Sequence, residues 1–251
     1  MQEVYQEISN LIQNRERAVL VTLVATEGSV PRKAGTKMLI HEDGTVTGSV
    51  GGGNVEYEVK EKAKEILMSG QPVLLHLENK ESTGGKIDVF LEPVLPVDTL
   101  YLFGAGRVSQ ATATIGKVIG FNIIVIDPRP EYNNRKDFPE ANSLLVEDYC
   151  PYFSKHIMGE NDYIIIFTAS HAMDEACLHL ALGTRAAYVG MIGSKRKVAE
   201  IKEHLLEKGV AKEQLEKAHS PIGLDIGAET PEEIALSVMA EVVKVKRSRS
   251  G

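Results

Sequence analysis

Two glycines, Gly104 and Gly106, stand between a short apolar run and a segment whose apolar residues return at helical spacing. Glycines in such a turn let backbone N–H groups approach an anion closely, and the N-terminus of the following helix adds partial positive charge. Ser109 takes the place of the third glycine of the usual dinucleotide fingerprint. The turn therefore predicts a site for a pyrophosphate or a similar anion. The alternative is a pair of glycines that serves packing alone.

An acidic residue follows this turn at the distance expected of a ribose ligand. A second apolar run ends at Asp127, 23 positions after Gly104, and the fingerprint expects an acid roughly 20 positions on. Asp127 is predicted to accept hydrogen bonds from ribose hydroxyls. Arg129, two residues further on, would instead meet a 2′-phosphate or another anionic group. The sequence leaves these alternatives open.

A second glycine-rich turn lies earlier in the chain. Gly51, Gly52 and Gly53 are consecutive and precede a segment with helical spacing of apolar residues. Because glycine loses the most conformational freedom on folding, three in a row are expected only where the backbone curls tightly or approaches a ligand closely. The run is a second candidate anion nest. A tight turn between strand and helix is the alternative.

A cluster of cations marks a third candidate. Ser194 is predicted to cap a helix whose first turn carries three consecutive basic residues, Arg196 among them. The helix macrodipole disfavours each cation there by a few tenths of a kcal/mol to about 1 kcal/mol, and a bound anion would offset that cost. The alternative is a set of solvated side chains on a surface helix.

Residues for acid–base or metal chemistry are few. His171 and Asp174 follow an apolar run and are candidates for a proton-transfer pair. The alternative places His171 in a loop and Asp174 in the first turn of the next helix. The chain has two cysteines, Cys150 and Cys177, and neither their spacing nor that of the histidines predicts a metal site.

The elements that must position these residues fall into two predicted domains. From residue 98 to residue 251, strands alternate with helices, which predicts a Rossmann-like, doubly wound parallel sheet. Ligands of such sheets bind beyond the carboxyl ends of the strands, where Gly104 and Asp127 are expected. Residues 1–97 predict a smaller α+β domain with an interior strand at 18–26, a hairpin at 36–49 and further strands at 73–77 and 86–93. The fold class is therefore α/β.

The composition and net charge of the chain argue against several classes of function. The chain has 251 residues and a formal net charge of −7, which excludes a general nucleic-acid footprint. No apolar run approaches the roughly 20 residues that span a bilayer. The N-terminal segment is polar and acidic, unlike a signal peptide. The sequence predicts a cytoplasmic protein that binds neither nucleic acid nor membrane.

Several segments taken together resemble the XdhC/CoxI family, which are accessory proteins for molybdenum hydroxylases. The resemblance covers nearly the whole chain, and it rests on the combination and order of the segments. They include Gly-Ser-Val-Gly-Gly-Gly-Asn at 48–54 and Gly-Met-Ile-Gly-Ser-Lys-Arg-Lys at 190–197, together with residues 26–35, 84–85, 103–108, 127–129 and 221–235.

This resemblance implies an N-terminal XdhC/CoxI domain and a C-terminal Rossmann domain. It implies a protein that binds molybdenum cofactor, assists its sulfuration and delivers it to xanthine dehydrogenase or a related apo-enzyme, with a sulfurtransferase as a further partner. A homodimer is expected, and a cofactor-binding maturation factor is favoured over a catalyst. The candidate cofactor-binding residues are Arg32, Gly51, Gly52, Gly53, Gly84 and Gly85 in the first domain and Gly104, Gly106, Arg107, Asp127, Arg129, Gly193, Ser194 and Arg196 in the second.

Three positions depart from the family pattern. Asn54 and Thr83 stand where many members have cysteine, and Arg107 stands where several have histidine. A thiolate is the natural soft ligand for molybdenum or sulfur chemistry, but binding the cofactor through its pterin and phosphate needs no thiol. The alternative function is an NAD(P)-dependent oxidoreductase with His171 as its proton donor.

Overall fold

The computed structural model describes residues 2–28, 30–78 and 85–249. The chain divides into two compact units, with the boundary between Val97 and Asp98. Each unit contains one five-stranded sheet. In the described part of the chain, no helix combines the length and the apolar composition that crossing a bilayer requires.

The first unit is an antiparallel sheet with two helices. Its elements are α1 (Gln2–Asn14), β1 (Ala18–Glu27), β2 (Lys37–His41), β3 (Val46–Gly48), α2 (Gly53–Ser69), β4 (Val73–Glu78) and β5 (Lys86–Val94). The strand order is β3-β2-β1-β5-β4. Central β1 pairs with β2 on one side and with β5 on the other.

Strand β1 is buried on both faces because its side chains alternate between two apolar clusters. Val19 and Val21 pack in the same cluster as Val59 of α2. Leu20 packs in the cluster that contains Leu11 of α1. The interior strand predicted from the sequence is therefore confirmed, and it holds α2 on one face of the sheet and α1 on the other.

The second unit is a parallel sheet. Its elements are β6 (Thr99–Phe103), α3 (Arg107–Val118), β7 (Asn122–Ile126), β8 (Ser143–Leu145), α4 (Tyr149–Lys155), β9 (Asp162–Ile166), α5 (His171–Leu182), β10 (Tyr188–Met191), α6 (Lys195–Glu207), α7 (Lys212–Leu215) and α8 (Pro231–Arg249). The strand order is β10-β9-β6-β7-β8, and every pairing is parallel.

Helices cover both faces of this sheet, as the doubly wound prediction requires. Ala113 of α3 and Val238 of α8 pack in one core cluster, whereas Leu178 of α5 and Ile201 of α6 pack in the other. The order of the strands along the chain reverses between β6 and β9. This reversal is the topological switch point, and open α/β sheets bind their ligands in the crevice that forms there.

Local signals placed some helix ends correctly and missed two short helices. The predicted Ser194 cap of α6 forms, because the Lys197 amide donates to Ser194 Oγ at 3.3 Å. Helices α4 and α7 were not predicted, since seven and four residues are too short to show helical periodicity.

Candidate functional site

The carboxyl edge of the parallel sheet collects the predicted residues of the second unit. Gly104 follows β6 directly, Asp127 follows β7, and Ser194 follows β10 as the N-cap of α6. Helices α3, α5 and α6 begin at this same edge, because each follows the carboxyl end of a strand. Their N-termini therefore point toward one region, where an anion is favoured.

Gly104 is required by the protein itself. Its φ is +115°, and an added Cβ would lie 2.2 Å from the carbonyl oxygen of Phe167. The neighbouring backbone is fixed, because the Phe167 amide donates to the carbonyl oxygen of Phe103 at 2.7 Å and the Gly104 amide donates to that of Ile126 at 2.9 Å. The packing alternative thus accounts for this glycine.

Gly106 differs from Gly104, because no protein atom requires a glycine there. It is the N-cap of α3 with an ordinary φ of −77° and forms no side-chain cap. Apart from its two chain neighbours, no described residue has a heavy atom within 4 Å of an added Cβ at this position. By contrast, Ser170 and Ser194 cap α5 and α6 with their side chains. The first turn of α3 therefore keeps its N–H groups open to a ligand.

Two neighbours of this turn complete its surroundings. Ser109 is fully buried, and its hydroxyl has no hydrogen-bond partner among the described residues. Arg107 is exposed and lines an open pocket of about 570 Å³ together with Glu232 of α8. The predicted Arg107 thus lies on the outer side of α3, beside an acidic residue of another helix.

Asp127 is fully buried and bound by its neighbours. Both carboxylate oxygens accept hydrogen bonds from Arg129, and Oδ2 also accepts one from the Ala105 amide at 2.9 Å. Burial opposes ionisation, but these hydrogen bonds outweigh it and hold the pKa of Asp127 below its ordinary value. The buried hydroxyl of Tyr149 faces the same carboxylate, and its pKa is raised, mainly by burial and further by Asp127.

The structure places the two candidates for a proton-transfer pair in different surroundings, with Asp174 in the first turn of α5 as the alternative has it. Asp174 is fully buried, accepts hydrogen bonds from the Thr168 amide and hydroxyl, and forms an ion pair with Lys197. His171 is exposed at the first residue of α5. Because the fourth residue of this helix faces the core, the Asp174 carboxylate contacts Lys197 of α6.

The cations at the start of α6 do not form one cluster. Lys197 contacts Asp174 with its ammonium group, and its side chain is only 14% exposed. Arg196 is 90% exposed and pairs with Glu200 on its own helix at 3.4 Å. An added Cβ on Gly193 would lie 3.1 Å from Lys197 Cδ, so this glycine leaves room for the lysine stem. The Asp174 carboxylate thus supplies the negative charge that Lys197 requires.

In the first unit, the glycine run binds a side chain of the protein itself. Gly51, Gly52 and Gly53 have φ values of 137°, 75° and 59°. The Gly52 amide donates to Glu56 Oε1 at 3.0 Å, and the Ser49 hydroxyl donates to the same oxygen at 2.6 Å. One amide of the predicted nest, that of Gly52, thus binds a carboxylate of its own helix α2. The sequence signal was an acid in the first helical turn, which the anion-nest interpretation had not used.

The other candidates of the first unit lie apart in sequence. Arg32 is exposed, and its Cγ lies 3.8 Å from the position of an added Cβ on Gly51. Gly85 is buried directly before β5. Gly84 lies outside the described residues. The structure therefore brings Arg32 and the glycine run together.

The Glu56 contact predicts a pH-dependent contribution to stability. Burial raises the pKa of Glu56, but hydrogen bonds from Ser49 and Gly52 lower it by more. The pKa of Glu56 therefore lies below its ordinary value of 4.5. The contribution is therefore present above pH 4.5 and is lost as the pH falls through the folded-state pKa. We expect Glu56→Gln to reduce the free energy of unfolding by about 1 kcal/mol at pH 7.

Urea unfolding of the wild-type protein and Glu56→Gln, followed by circular dichroism at several pH values, measures this contribution. The difference between the two proteins should shrink below pH 4.5. Glu61→Gln is the control, because Glu61 is exposed on the same helix and pairs only with Lys64. A Glu56→Gln difference that stays constant down to the acid transition would contradict the assignment.

The described residues contain no group of three or more His, Cys, Asp or Glu side chains that could hold a metal ion. Cys150 is partly exposed on α4, and Cys177 is buried on α5. Burial raises the pKa of the Cys177 thiol, which disfavours the thiolate that a soft metal requires. Backbone amides, hydroxyls and arginines are thus the groups available to a ligand at the carboxyl edge.

Comparison with known proteins relates this geometry to a family. A family model described as "XdhC Rossmann domain" matches residues 100–242, and one described as "XdhC and CoxI family" matches residues 11–78. The uncharacterised protein YqeB of Escherichia coli (strain K12) is 32% identical over 99% of this chain and 47% of YqeB. The chain therefore spans about half the length of that relative.

Two further relatives are similar over most of both chains. A probable xanthine dehydrogenase subunit of Bacillus subtilis (strain 168) is 25% identical over 94% of this chain and 96% of that protein. "Molybdenum cofactor insertion chaperone PaoD" of Escherichia coli (strain K12) is 24% identical over 91% of this chain and 83% of PaoD.

A solved structure shows the same fold. It is a crystal structure described as a xanthine dehydrogenase from Bacillus halodurans, with a TM-score of 0.54, 25% identity and coverage of 97% of this chain and 96% of that chain. With the two family models, which match in order along the sequence, these similarities show that the chain belongs to the XdhC and CoxI family and that its second unit contains the family's Rossmann domain.

Proposed function

We propose that this protein is a maturation factor that binds molybdenum cofactor as its cargo and passes it to an apo molybdenum hydroxylase of the xanthine dehydrogenase type. Two relatives support this role by name, one as a molybdenum cofactor insertion chaperone and one as a probable xanthine dehydrogenase subunit. The observation that carries the proposal is the open first turn of α3 at the switch point. Gly106 supplies no side-chain cap there, and, its chain neighbours aside, no described residue lies within 4 Å of an added Cβ.

The residues at this turn fit one part of the cargo. Backbone N–H groups at a helix N-terminus and the nearby Arg129 suit the phosphate of the pterin. The buried Ser109 hydroxyl, which has no partner in the described part of the chain, is a further polar group in the first turn. These groups would hold the cofactor by its phosphate and leave the molybdenum end free for transfer.

Sulfuration requires a sulfur donor, and the chain has two cysteines, of which Cys177 is buried. We therefore propose that a partner sulfurtransferase acts on the cofactor while this protein holds it. A homodimer and a cytoplasmic location remain predictions. In the NAD(P)-dependent alternative, His171 would have to act as proton donor without Asp174, since Asp174 binds Lys197 and Thr168.

A pair of substitutions at Gly106 tests the proposal. Both Gly106→Asp and Gly106→Asn place a capping oxygen on α3 and are expected to stabilise the helix by a few tenths of a kcal/mol. Only the aspartate adds a negative charge where the phosphate would lie. Since like charges about 4 Å apart repel by roughly 1 to 4 kcal/mol near a protein surface, we expect Gly106→Asp to retain at least about tenfold less molybdopterin than Gly106→Asn.

The measurement is the molybdopterin content of protein purified anaerobically from cells that make the cofactor, by fluorescence of the oxidised pterin and by native mass spectrometry. Transfer is then followed as activity gained by a purified apo-hydroxylase. A wild-type protein that neither carries nor takes up molybdopterin contradicts the proposed function. Equal retention by the two variants removes the α3 turn from the site.

A further inference from the structure

We infer that the second unit recognises its ligand through Arg129 as an anion-binding group, and that Asp127 positions Arg129 instead of binding a ribose diol. The inference deepens the proposed function, because it concerns the same edge of the sheet and names the chemistry that is recognised there. The sequence alone left both roles open. The hydrogen bonds of Asp127 and the exposure of Arg129 decide between them.

The Asp127 carboxylate has no remaining acceptor for a ribose. Oδ1 accepts hydrogen bonds from the Arg129 amide and from Arg129 Nε, both at 2.9 Å. Oδ2 accepts hydrogen bonds from the Ala105 amide at 2.9 Å and from Arg129 Nη2 at 2.7 Å. A carboxylate offers about four lone-pair sites. These four donors fill them, and the Tyr149 hydroxyl faces the same carboxylate. A ribose hydroxyl could bind only by displacing a backbone amide or the Arg129 guanidinium from a fully buried carboxylate.

Arg129, in contrast, has guanidinium N–H donors that Asp127 does not use. A guanidinium has five N–H groups, and in the described part of the chain only Nε and Nη2 have hydrogen-bond partners. The guanidinium carbon Cζ of Arg129 lies 4.6 Å from the centre of the Tyr132 ring, and the Arg129 side chain is 37% exposed. The group is therefore held flat between a buried carboxylate and an aromatic ring, with Nη1 directed away from Asp127. A phosphate matches this planar, always charged edge.

Asp127 also connects Arg129 to the glycine turn. Its Oδ2 binds both the Arg129 guanidinium and the amide of Ala105, which lies between Gly104 and Gly106. One carboxylate thus fixes the arginine and the turn that precedes α3. The ligand class that follows is a molecule with a phosphate or pyrophosphate group and no required ribose 2′-hydroxyl.

The experiment measures the binding of three probes, ADP, 2′-deoxy-ADP and inorganic pyrophosphate, to the full-length protein by isothermal titration calorimetry. We expect the wild-type protein to bind ADP and 2′-deoxy-ADP with Kd values within about twofold of each other. Arg129→Gln should weaken all three probes about tenfold or more, as loss of a charged hydrogen bond does. Arg185→Gln, an exposed arginine that precedes β10 at the opposite edge of the sheet, should leave the affinities unchanged.

Asp127→Asn tests the positioning role. We expect it to shift the Arg129 Nε–H resonance in NMR spectra and to weaken pyrophosphate, a probe that has no ribose to contact. The ratio of the ADP and 2′-deoxy-ADP affinities should stay near one. If Asp127→Asn does not accumulate as folded protein, the wild-type ratio and the Arg129→Gln titration decide the inference alone.

Three outcomes overturn the inference: a wild-type protein that binds 2′-deoxy-ADP more than about tenfold more weakly than ADP, an Arg129→Gln variant with wild-type affinities, or no binding of any probe at millimolar concentration. These outcomes are separate from the fate of the proposed function. A protein that retains molybdopterin but binds no probe refutes only the inference. Arg129-dependent probe binding in a protein that never carries molybdopterin refutes only the proposed function.

Discussion

Replacing Gly104 by alanine is expected to destabilise the second unit by about 3 kcal/mol or more, whereas Gly106→Ala should change its free energy of unfolding by less than about 1 kcal/mol. At Gly104 an added methyl group would lie 2.2 Å from a carbonyl oxygen, and the φ of +115° is one that alanine rarely adopts. At Gly106 the φ is −77° and the space is empty. Alanine should therefore be tolerated at position 106 of this motif but not at position 104.

Urea unfolding followed by circular dichroism measures both variants, since the chain has no tryptophan for fluorescence. Because the chain has two compact units, hydrogen exchange at the amides of β6 and β9 assigns the observed loss to the second one. Similar losses for the two variants would show that the close approach of β6 and β9 at Gly104 can relax, and would remove the distinction between a structural and a ligand-facing glycine.

The contrast between Gly104 and Gly106 separates what the sequence could predict from what requires the tertiary structure. The strand, glycine turn, helix and terminal acid are local patterns, and they placed Gly104 and Asp127 at the carboxyl edge of a parallel sheet. The separate reasons for Gly104 and Gly106 are not local. The atom that requires Gly104 to be a glycine belongs to Phe167, which follows β9 and lies more than sixty residues later in the chain.

The same limit applies to the charged candidates. The basic turn at α6 predicted a bound anion, but the anion near Lys197 is Asp174, which lies 23 residues earlier on α5. In the first unit the glycine run predicted an anion nest, and Glu56 of the adjacent helix lies in it. Sequence patterns identified positions that need a negative charge. Only the tertiary structure shows that the chain supplies that charge itself.

The ion pair between Asp174 and Lys197 leads to the second large prediction. We expect Asp174→Ala to cost about 3 to 5 kcal/mol, because removing one partner of a buried pair leaves an uncompensated charge. Lys197 is then left 14% exposed without its counter-charge, and the Thr168 amide loses its acceptor, whereas the Thr168 hydroxyl keeps the Ser170 carbonyl oxygen. Lys197→Met alone should cost less, since Thr168 still binds Asp174. The double variant Asp174→Ala with Lys197→Met should recover at least about 1 kcal/mol of the summed single losses.

A surface pair between the same two helices is the matched control. Glu175 of α5 and Lys208, at the end of α6, approach to 2.6 Å. Glu175 is 16% exposed, but its two partners, Lys208 and His204, are each 60% exposed. Glu175→Ala should therefore cost less than about 1 kcal/mol.

Urea unfolding of the four variants gives the comparison, and pyrophosphate titration of Lys197→Met adds a second readout. If Lys197→Met unfolds like the wild-type protein but binds pyrophosphate about tenfold more weakly, Lys197 serves a ligand, and the anion site extends from Arg129 across the carboxyl edge to α6. If it loses stability and keeps its pyrophosphate affinity, Lys197 is an internal partner of Asp174, and Arg129 remains the arginine that the anion meets.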